Sequence, residues 1–230
     1  MSETSRMKIP ADWTFKSAEV AYHFDQHVKE QLPWYELITK VIVVIARHYI
    51  EHGGLVYDIG CSTGNITRAI HAEVEARSPK FIGIDDSPEM EAFYPKAIGD
   101  YVLADACEFD YSPFDLAVCY LFLQFVPLAK RRPLLAELIK KVKKSGAIVI
   151  VDKVVVSSEY CYSKDIFRRI TLSGKRENGA PAEEILQKEL SICGVQRPVN
   201  PGIITEISPL AFEFFRFGEF AGWIIPGSNE

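Results

Sequence analysis

One run constrains this chain more than any other: Val56-Tyr57-Asp58-Ile59-Gly60-Cys61-Ser62-Thr63-Gly64-Asn65. An apolar stretch ends in an acidic residue, passes through a loop of small residues, and continues into residues at helical spacing. Gly60 and Gly64 permit a tight turn and a close backbone approach to a ligand, and the start of the following helix adds free N–H groups. A strand feeding a helix through such a turn opens a crossover unit, so the next strand should lie parallel to the first.

The rest of the chain repeats that alternation. Strands are expected at Leu55–Ile59, Phe81–Ile84, Tyr101–Leu103, Leu116–Leu121 and Gly146–Val151. Helices are expected at Thr67–Ala76, from Ser87 toward Tyr94, and at Arg131–Lys143. Before them, Phe15–His52 has helical periodicity broken by Pro33, and His52-Gly53-Gly54 stops it. After Val156 come a helix at Tyr162–Leu172, a polar loop at Ser173–Pro181 and a helix at Ala182–Ser191. A closing antiparallel pair, Ala211–Phe217 and Phe220–Ile225, flanks Gly218. The expected fold class is therefore α/β and Rossmann-like: a mostly parallel seven-stranded sheet, helices on both faces, and an antiparallel last strand. A single domain would comprise an N-terminal helical cap (1–52), a ligand-binding core (53–156), a helical insertion (157–210) and closing strands (211–226). Ligands of such sheets bind at the carboxyl ends of the strands, where the strand order reverses.

Four acidic segments mark that edge. Asp58 precedes the glycine turn, and a carboxylate there repels a pyrophosphate but attracts an ammonium group. In the dinucleotide pattern G-x-G-x-x-G the middle glycine would fall where Ser62 stands. The charge argument therefore favours S-adenosyl-L-methionine over a nicotinamide dinucleotide, with Gly60, Cys61, Ser62 and Gly64 forming the loop around it. Asp85 lies about 20 residues past the turn, where a carboxylate can accept ribose hydroxyls. Asp86 and Ser87 serve either as contacts or as helix caps, with Pro88 at the first helical position. Asp105-Ala106 is placed to meet the adenine. The segment from Phe114 and Asp115 to Leu121 is a strand ending beneath the sulfonium, with Tyr120 near its end.

Composition removes other classes. Of 230 residues 48% are hydrophobic and 25% charged, which is ordinary for a globular protein, so disorder is expected only at Met1–Arg6 and 227–230. The net charge of −5 argues against an electrostatic grip on nucleic acid, and Lys130-Arg131-Arg132 and Lys140–Lys144 are explained as solvated helix faces. No apolar run reaches the length of a membrane helix and no leader is visible, so a cytoplasmic protein is expected. The five cysteines, including Cys61, form no C-x-x-C pair. The five histidines all lie in the N-terminal third without metal-ligand spacing, with His23 or His27 placed to line a pocket lid. No metal is expected.

These segments together resemble the class I S-adenosylmethionine-dependent methyltransferases. More closely, the chain is similar to the carboxy-S-adenosylmethionine synthases of tRNA wobble-uridine modification. The similarity rests on Phe24-Asp25, Pro33 with Tyr35, Val56–Gly60, Ile84-Asp85 with Ser87-Pro88 and Met90, and Leu123-Gln124-Phe125. It extends to Glu184–Lys188 and to Phe215, Phe217 and Gly218. The resemblance implies that Tyr35 reaches the methionine part of the cofactor, and that the protein dimerises, with aromatic residues of the last strands as a candidate face. It also exposes departures. The synthases follow Gln-Lys with an arginine for the cofactor's extra carboxylate, whereas Gln187-Lys188 is followed here by Glu189. Their asparagine after the fourth strand is Tyr120. Methyl transfer to a small-molecule acceptor is the leading expectation, with Lys153, Arg168 and Arg197 as acceptor-side candidates. The alternatives are synthase-like chemistry, with Arg197 or Arg168 replacing the missing arginine, and a cofactor-binding protein without catalysis.

Overall fold

The computed structural model describes residues 7–156 and 161–228. Met1–Arg6, where disorder is expected, and the last two residues lie outside the described residues.

Seven strands form one sheet in the order β3-β2-β1-β4-β5-β7-β6. They are β1 (Leu55–Ile59), β2 (Lys80–Asp85), β3 (Asp100–Leu103), β4 (Phe114–Tyr120), β5 (Val142–Lys153), β6 (Phe212–Phe217) and β7 (Phe220–Pro226). β1 to β5 pair in parallel, and β7 runs antiparallel to both neighbours. The order reverses between β1 and β4, which is where the sequence places the ligand. Every residue of β4 is buried, as a central strand covered on both faces requires.

The helices are α1 (Ala18–Gln31), α2 (Tyr35–Tyr49), α3 (Asn65–Val74), α4 (Pro88–Glu91), α5 (Leu128–Lys141), α6 (Cys161–Glu177), α7 (Ala182–Ser191) and α8 (Gly202–Ile207). One face of the sheet is covered by α2 and α3, through Ile38, Ile42 and Ala46 at helical spacing and Ile66, Ile70 and Val74. The other carries α5 and α8, through Leu134, Leu135, Leu138 and Ile204. Pro33 separates α1 from α2 as its missing N–H demands. Pro88 opens α4 with Ser87 at its N-cap.

Several local expectations are corrected. The loop expected from Ser173 is helical to Glu177, because Gly174 is a packing contact and not a breaker: a Cβ there would lie 2.9 Å from the Phe217 ring. The fifth helix begins at Leu128, three residues before Arg131, and β5 begins at Val142, ahead of Gly146. Arg131 is not on a solvated face. It is buried and donates to the carbonyls of Val126, Gln124, Arg197 and Pro198, stitching the turn after β4 to the segment before α8. In the other basic cluster Lys143 is half-buried and pairs with the buried Asp115 at 2.7 Å. Among the described residues, no helix is long and apolar enough to cross a membrane.

Candidate functional site

A cavity of about 490 Å³ opens over the carboxyl ends of β1 to β5. At its base the loop after β1 turns sharply. Gly60 has φ +71° and its N–H donates to the Ile84 carbonyl at 2.8 Å; a Cβ there would run into the Phe122 ring. Ser62 also adopts a left-handed backbone, φ +47°, a conformation seldom taken by residues other than glycine. Its N–H donates to Asp85 Oδ2 at 2.9 Å, while Asp85 Oδ1 accepts the Ser87 N–H at 3.0 Å. The carboxylate at the end of β2 thus holds the β1 loop in its strained turn.

Asp58 is 3% exposed. Its Oδ2 accepts both the N–H and the hydroxyl of Thr67, on the first turn of α3. Burial outweighs those bonds and lifts Asp58 to about 7, with the nearby charge of Asp85 adding to the rise. Burial likewise lifts Asp85 to about 6 against its two backbone donors. Two carboxylates raised this far by desolvation are short of a positive or donating partner.

The structure brings Tyr35, Asp58, Gly60, Cys61, Ser62, Asp85, Asp86, Asp105, Ala106, Tyr120 and Lys153 together on the cavity wall. Tyr35 and Tyr120 stack face to face at 4.9 Å, and the Tyr120 hydroxyl donates to the Tyr35 carbonyl at 3.0 Å. The Cys61 thiol is buried and its pKa pushed up by desolvation, away from nucleophile chemistry. Asp105 accepts the Cys107 N–H and pairs with Lys130 at 2.8 Å, which holds its carboxyl below the ordinary range. Asp86 is exposed and pairs with Lys16.

Three candidates are placed elsewhere. Gly64, φ +81°, caps α3 and shapes the loop without lining the cavity. Arg197 is exposed and off the wall. Arg168 is also off the wall, pairing with Glu189 at 2.9 Å and Glu219 at 3.3 Å.

The end of the cavity beyond β5 is lined by lysines, and burial lowers the pKa of Lys153 and Lys188. Lys153, Lys175 and Lys188 come from β5, α6 and α7, and each is under 9% exposed. Glu189 lies among them, 2.8 Å from Lys175 and 3.8 Å from Lys153. Burial alone would raise its pKa; Lys175 and Lys153 overcome that and hold it down at about 2. Lys188 makes no ion pair among the described residues and lies over the Trp13 ring, against which His27 stacks at 5.5 Å and Phe15 packs edge-on at 5.8 Å.

The cavity is roofed by the segment before α1. The Trp13 backbone N–H donates to the Ser191 carbonyl at 3.0 Å, and the Phe15 carbonyl accepts the Ser87 hydroxyl at 2.8 Å. Beneath it Asp25 accepts from Thr63, Asn65 and Arg68, tying α1 to the glycine loop. His27 lines the cavity as the sequence expects. Trp13, Gln31, Lys175 and Gln196 went unread, because nothing in their local sequence marks them. Lys175 also fell in the stretch taken for a loop.

Comparison with known proteins agrees with this geometry. A family profile described as a methyltransferase domain matches residues 56–146. The chain is 32% identical, over 83% of its length and 84% of the relative's, to a carboxy-S-adenosyl-L-methionine synthase of Staphylococcus epidermidis. It is 31% identical, over 89% and 90%, to the synthase of Wolinella succinogenes. A solved S-adenosylmethionine-dependent methyltransferase from Clostridium acetobutylicum shares the fold, with a TM-score of 0.57 at 10% identity over 90% of this chain and 99% of that one.

Proposed function

The chain is an S-adenosyl-L-methionine-dependent enzyme belonging to the carboxy-S-adenosyl-L-methionine synthase family of class I methyltransferases, and on that premise we propose that its cavity holds the cofactor beside a small-molecule acceptor and transfers a methyl group between them. The observation that carries the reading is a single cavity with chemically opposite ends: buried Asp58 and half-buried Asp85 under the glycine loop, and buried lysines beyond β5. The acidic end fits the cofactor. Asp58 offers a desolvated carboxylate to an ammonium group, and Asp85, held by Ser62 and Ser87, offers acceptor lone pairs to ribose hydroxyls. Ala106 and Asp105 lie where the adenine would rest. S-adenosylmethionine brings the activated methyl group, and the chain's task is to align the acceptor and exclude water. Trp13, Phe15, Phe24 and Phe125 roof the site for the second purpose.

A second reading, formation or use of the carboxylated cofactor, is favoured by the identity to named synthases across most of both chains. Glu189 in place of the synthases' arginine does not argue against it, since Lys153, Lys175 and Arg168 pair with that carboxylate. Mass spectrometry of the small molecules freed by denaturing fresh protein separates the readings. S-adenosylmethionine or its demethylated product supports methyl transfer, and the carboxylated derivative supports the second reading. Absence of all three, with no affinity for added S-adenosylmethionine, would overturn both.

A further inference from the structure

Among the three lysines of the cavity wall, one amine is left over. Lys153 Nζ donates to Gln196 Oε1 at 3.0 Å, and Lys175 Nζ donates to Glu189 Oε1 at 2.8 Å. Lys188 Nζ has no hydrogen-bond or ion-pair partner among the described residues, although the residue is only 8% exposed. It is not one of their sealed polar atoms, so it opens on the cavity that Lys188 lines. The neighbouring elements bring it no free anion. Lys175 approaches from α6, and burial with the two lysines holds His27 of α1 down at about 3, so that it stays neutral. The Glu189 carboxylate next to it is held by Lys175 and Arg168. Trp13 lends a ring face, which offsets only part of the cost of a buried unpaired charge. Burial, with the Lys175 charge, therefore lowers Lys188 well below the ordinary lysine value.

Desolvation beside a second cation is one way in which a lysine becomes nucleophilic toward a carbonyl carbon. The inference rests on the reading that the cofactor fills the acidic end. We propose that the second molecule of the cavity is a small aldehyde or ketone, and that Lys188 captures it as an imine. In that step the Nζ lone pair forms a bond to the carbonyl carbon while the C=O π pair moves to oxygen. The two amine protons leave with that oxygen as water and the C=N bond remains, so nothing is oxidised or reduced. Lys153 and Lys175 do not compete, because their nitrogens are already engaged by Gln196 and Glu189. Capture fixes the molecule beside the cofactor, which is the alignment that methyl transfer requires.

The test is reductive trapping on the full, unsubstituted chain. Acetone, butanal and benzaldehyde are offered in turn at pH 7 with cyanoborohydride, which fixes an imine as a stable secondary amine. Each is run with and without saturating S-adenosylhomocysteine, and peptide mass mapping gives the rate at every lysine. With at least one of the three compounds, Lys188 should be alkylated about tenfold faster than any other lysine, because an amine with a lowered pKa holds more free base. That lead should persist with S-adenosylhomocysteine bound, and the Lys188 rate should level off at a lower pH than the rates of exposed lysines. No lead at Lys188 with any of the three, or a lead that S-adenosylhomocysteine abolishes, overturns the proposal. A lead at Lys188 in protein without affinity for S-adenosylhomocysteine would instead overturn the assignment of the acidic end and leave the capture standing.

Discussion

The two ends of the cavity use the same residue type in opposite ways. Asp58 and Asp85 sit on strands of the parallel core, take their hydrogen bonds from uncharged backbone and hydroxyl groups, and are pushed up to about 7 and about 6 by burial. Glu189 sits on α7, has a side chain 17% exposed, and is held at about 2 because Lys175 and Lys153 face it. At Asp58 and Asp85 the neutral donors leave the rise from burial in place, whereas at Glu189 the facing lysines reverse it. One end is thus short of a cation and the other is provided with its own, so only the first depends on a ligand for its balance.

The largest effect should follow from inverting the second end. Glu189→Arg would set a fourth cation among Lys153, Lys175 and Arg168, and should lower folding stability by about 3 kcal/mol or more, read by denaturant unfolding. A variant as stable as the parent would mean that these ion pairs contribute little. The pH sign is explicit: with its folded value below the ordinary 4.5, Glu189 adds stability that is present above 4.5 and is lost as pH falls toward 2. Glu189→Gln should remove that part of the acid dependence.

Next in size is the cofactor end. Asp85→Ala removes both an acceptor for the ribose and the anchor of the Ser62 and Ser87 N–H groups. Affinity for S-adenosylmethionine should fall at least tenfold, since hydrogen bonds to a charged group contribute roughly 1.5–3 kcal/mol. Calorimetry giving an unchanged dissociation constant would remove Asp85 from the site.

That end was legible in the sequence because its parts are local. Asp58, Gly60 and Ser62 lie within one strand-turn unit, and Asp85 ends the next strand; alternation of strand and helix then sets their relation in space. The lysine end was not. Lys153, Lys175 and Lys188 come from three elements, and no spacing rule links β5 to two helices of an insertion. Lys153 alone is an acceptor-side candidate in the sequence; Lys175 reads as a solvated residue, as does Arg131, whose burial depends on carbonyls from two separate turns. Arg168 and Arg197 were drawn toward the site by the expectation of a cation there, a place on the wall that Lys153 and Lys175 occupy. Gln31 carries no sequence signal, because its tie to Glu184 exists only once α1 and α7 pack together.

Asp58 sharpens the comparison through pH. Its folded value is raised above 3.8, so the stability it confers is present below 3.8 and is lost as pH rises through about 7. Unliganded protein should therefore lose this contribution between about pH 4 and pH 7, the opposite sign to Glu189. Saturating S-adenosylmethionine should flatten the loss by supplying an ammonium, and Asp58→Asn should flatten it without ligand. A melting profile in Asp58→Asn as steep as in the parent would show that another group dominates.

The smallest effect belongs to Arg168. It pairs with Glu189 and Glu219, yet its side chain is 42% exposed, so solvent screens both contacts. Lys175 and Lys153 remain beside Glu189 when the guanidinium is removed. Arg168→Ala should therefore cost under about 1 kcal/mol in denaturant unfolding and leave S-adenosylmethionine affinity within about twofold. If Arg168 instead supplied the acceptor's counter-charge, the substitution would spare cofactor binding while abolishing the retention of any second ligand seen by mass spectrometry. Loss of that ligand from Arg168→Ala, but not from a Lys188→Met variant, would move the acceptor contact from the cavity wall to α6.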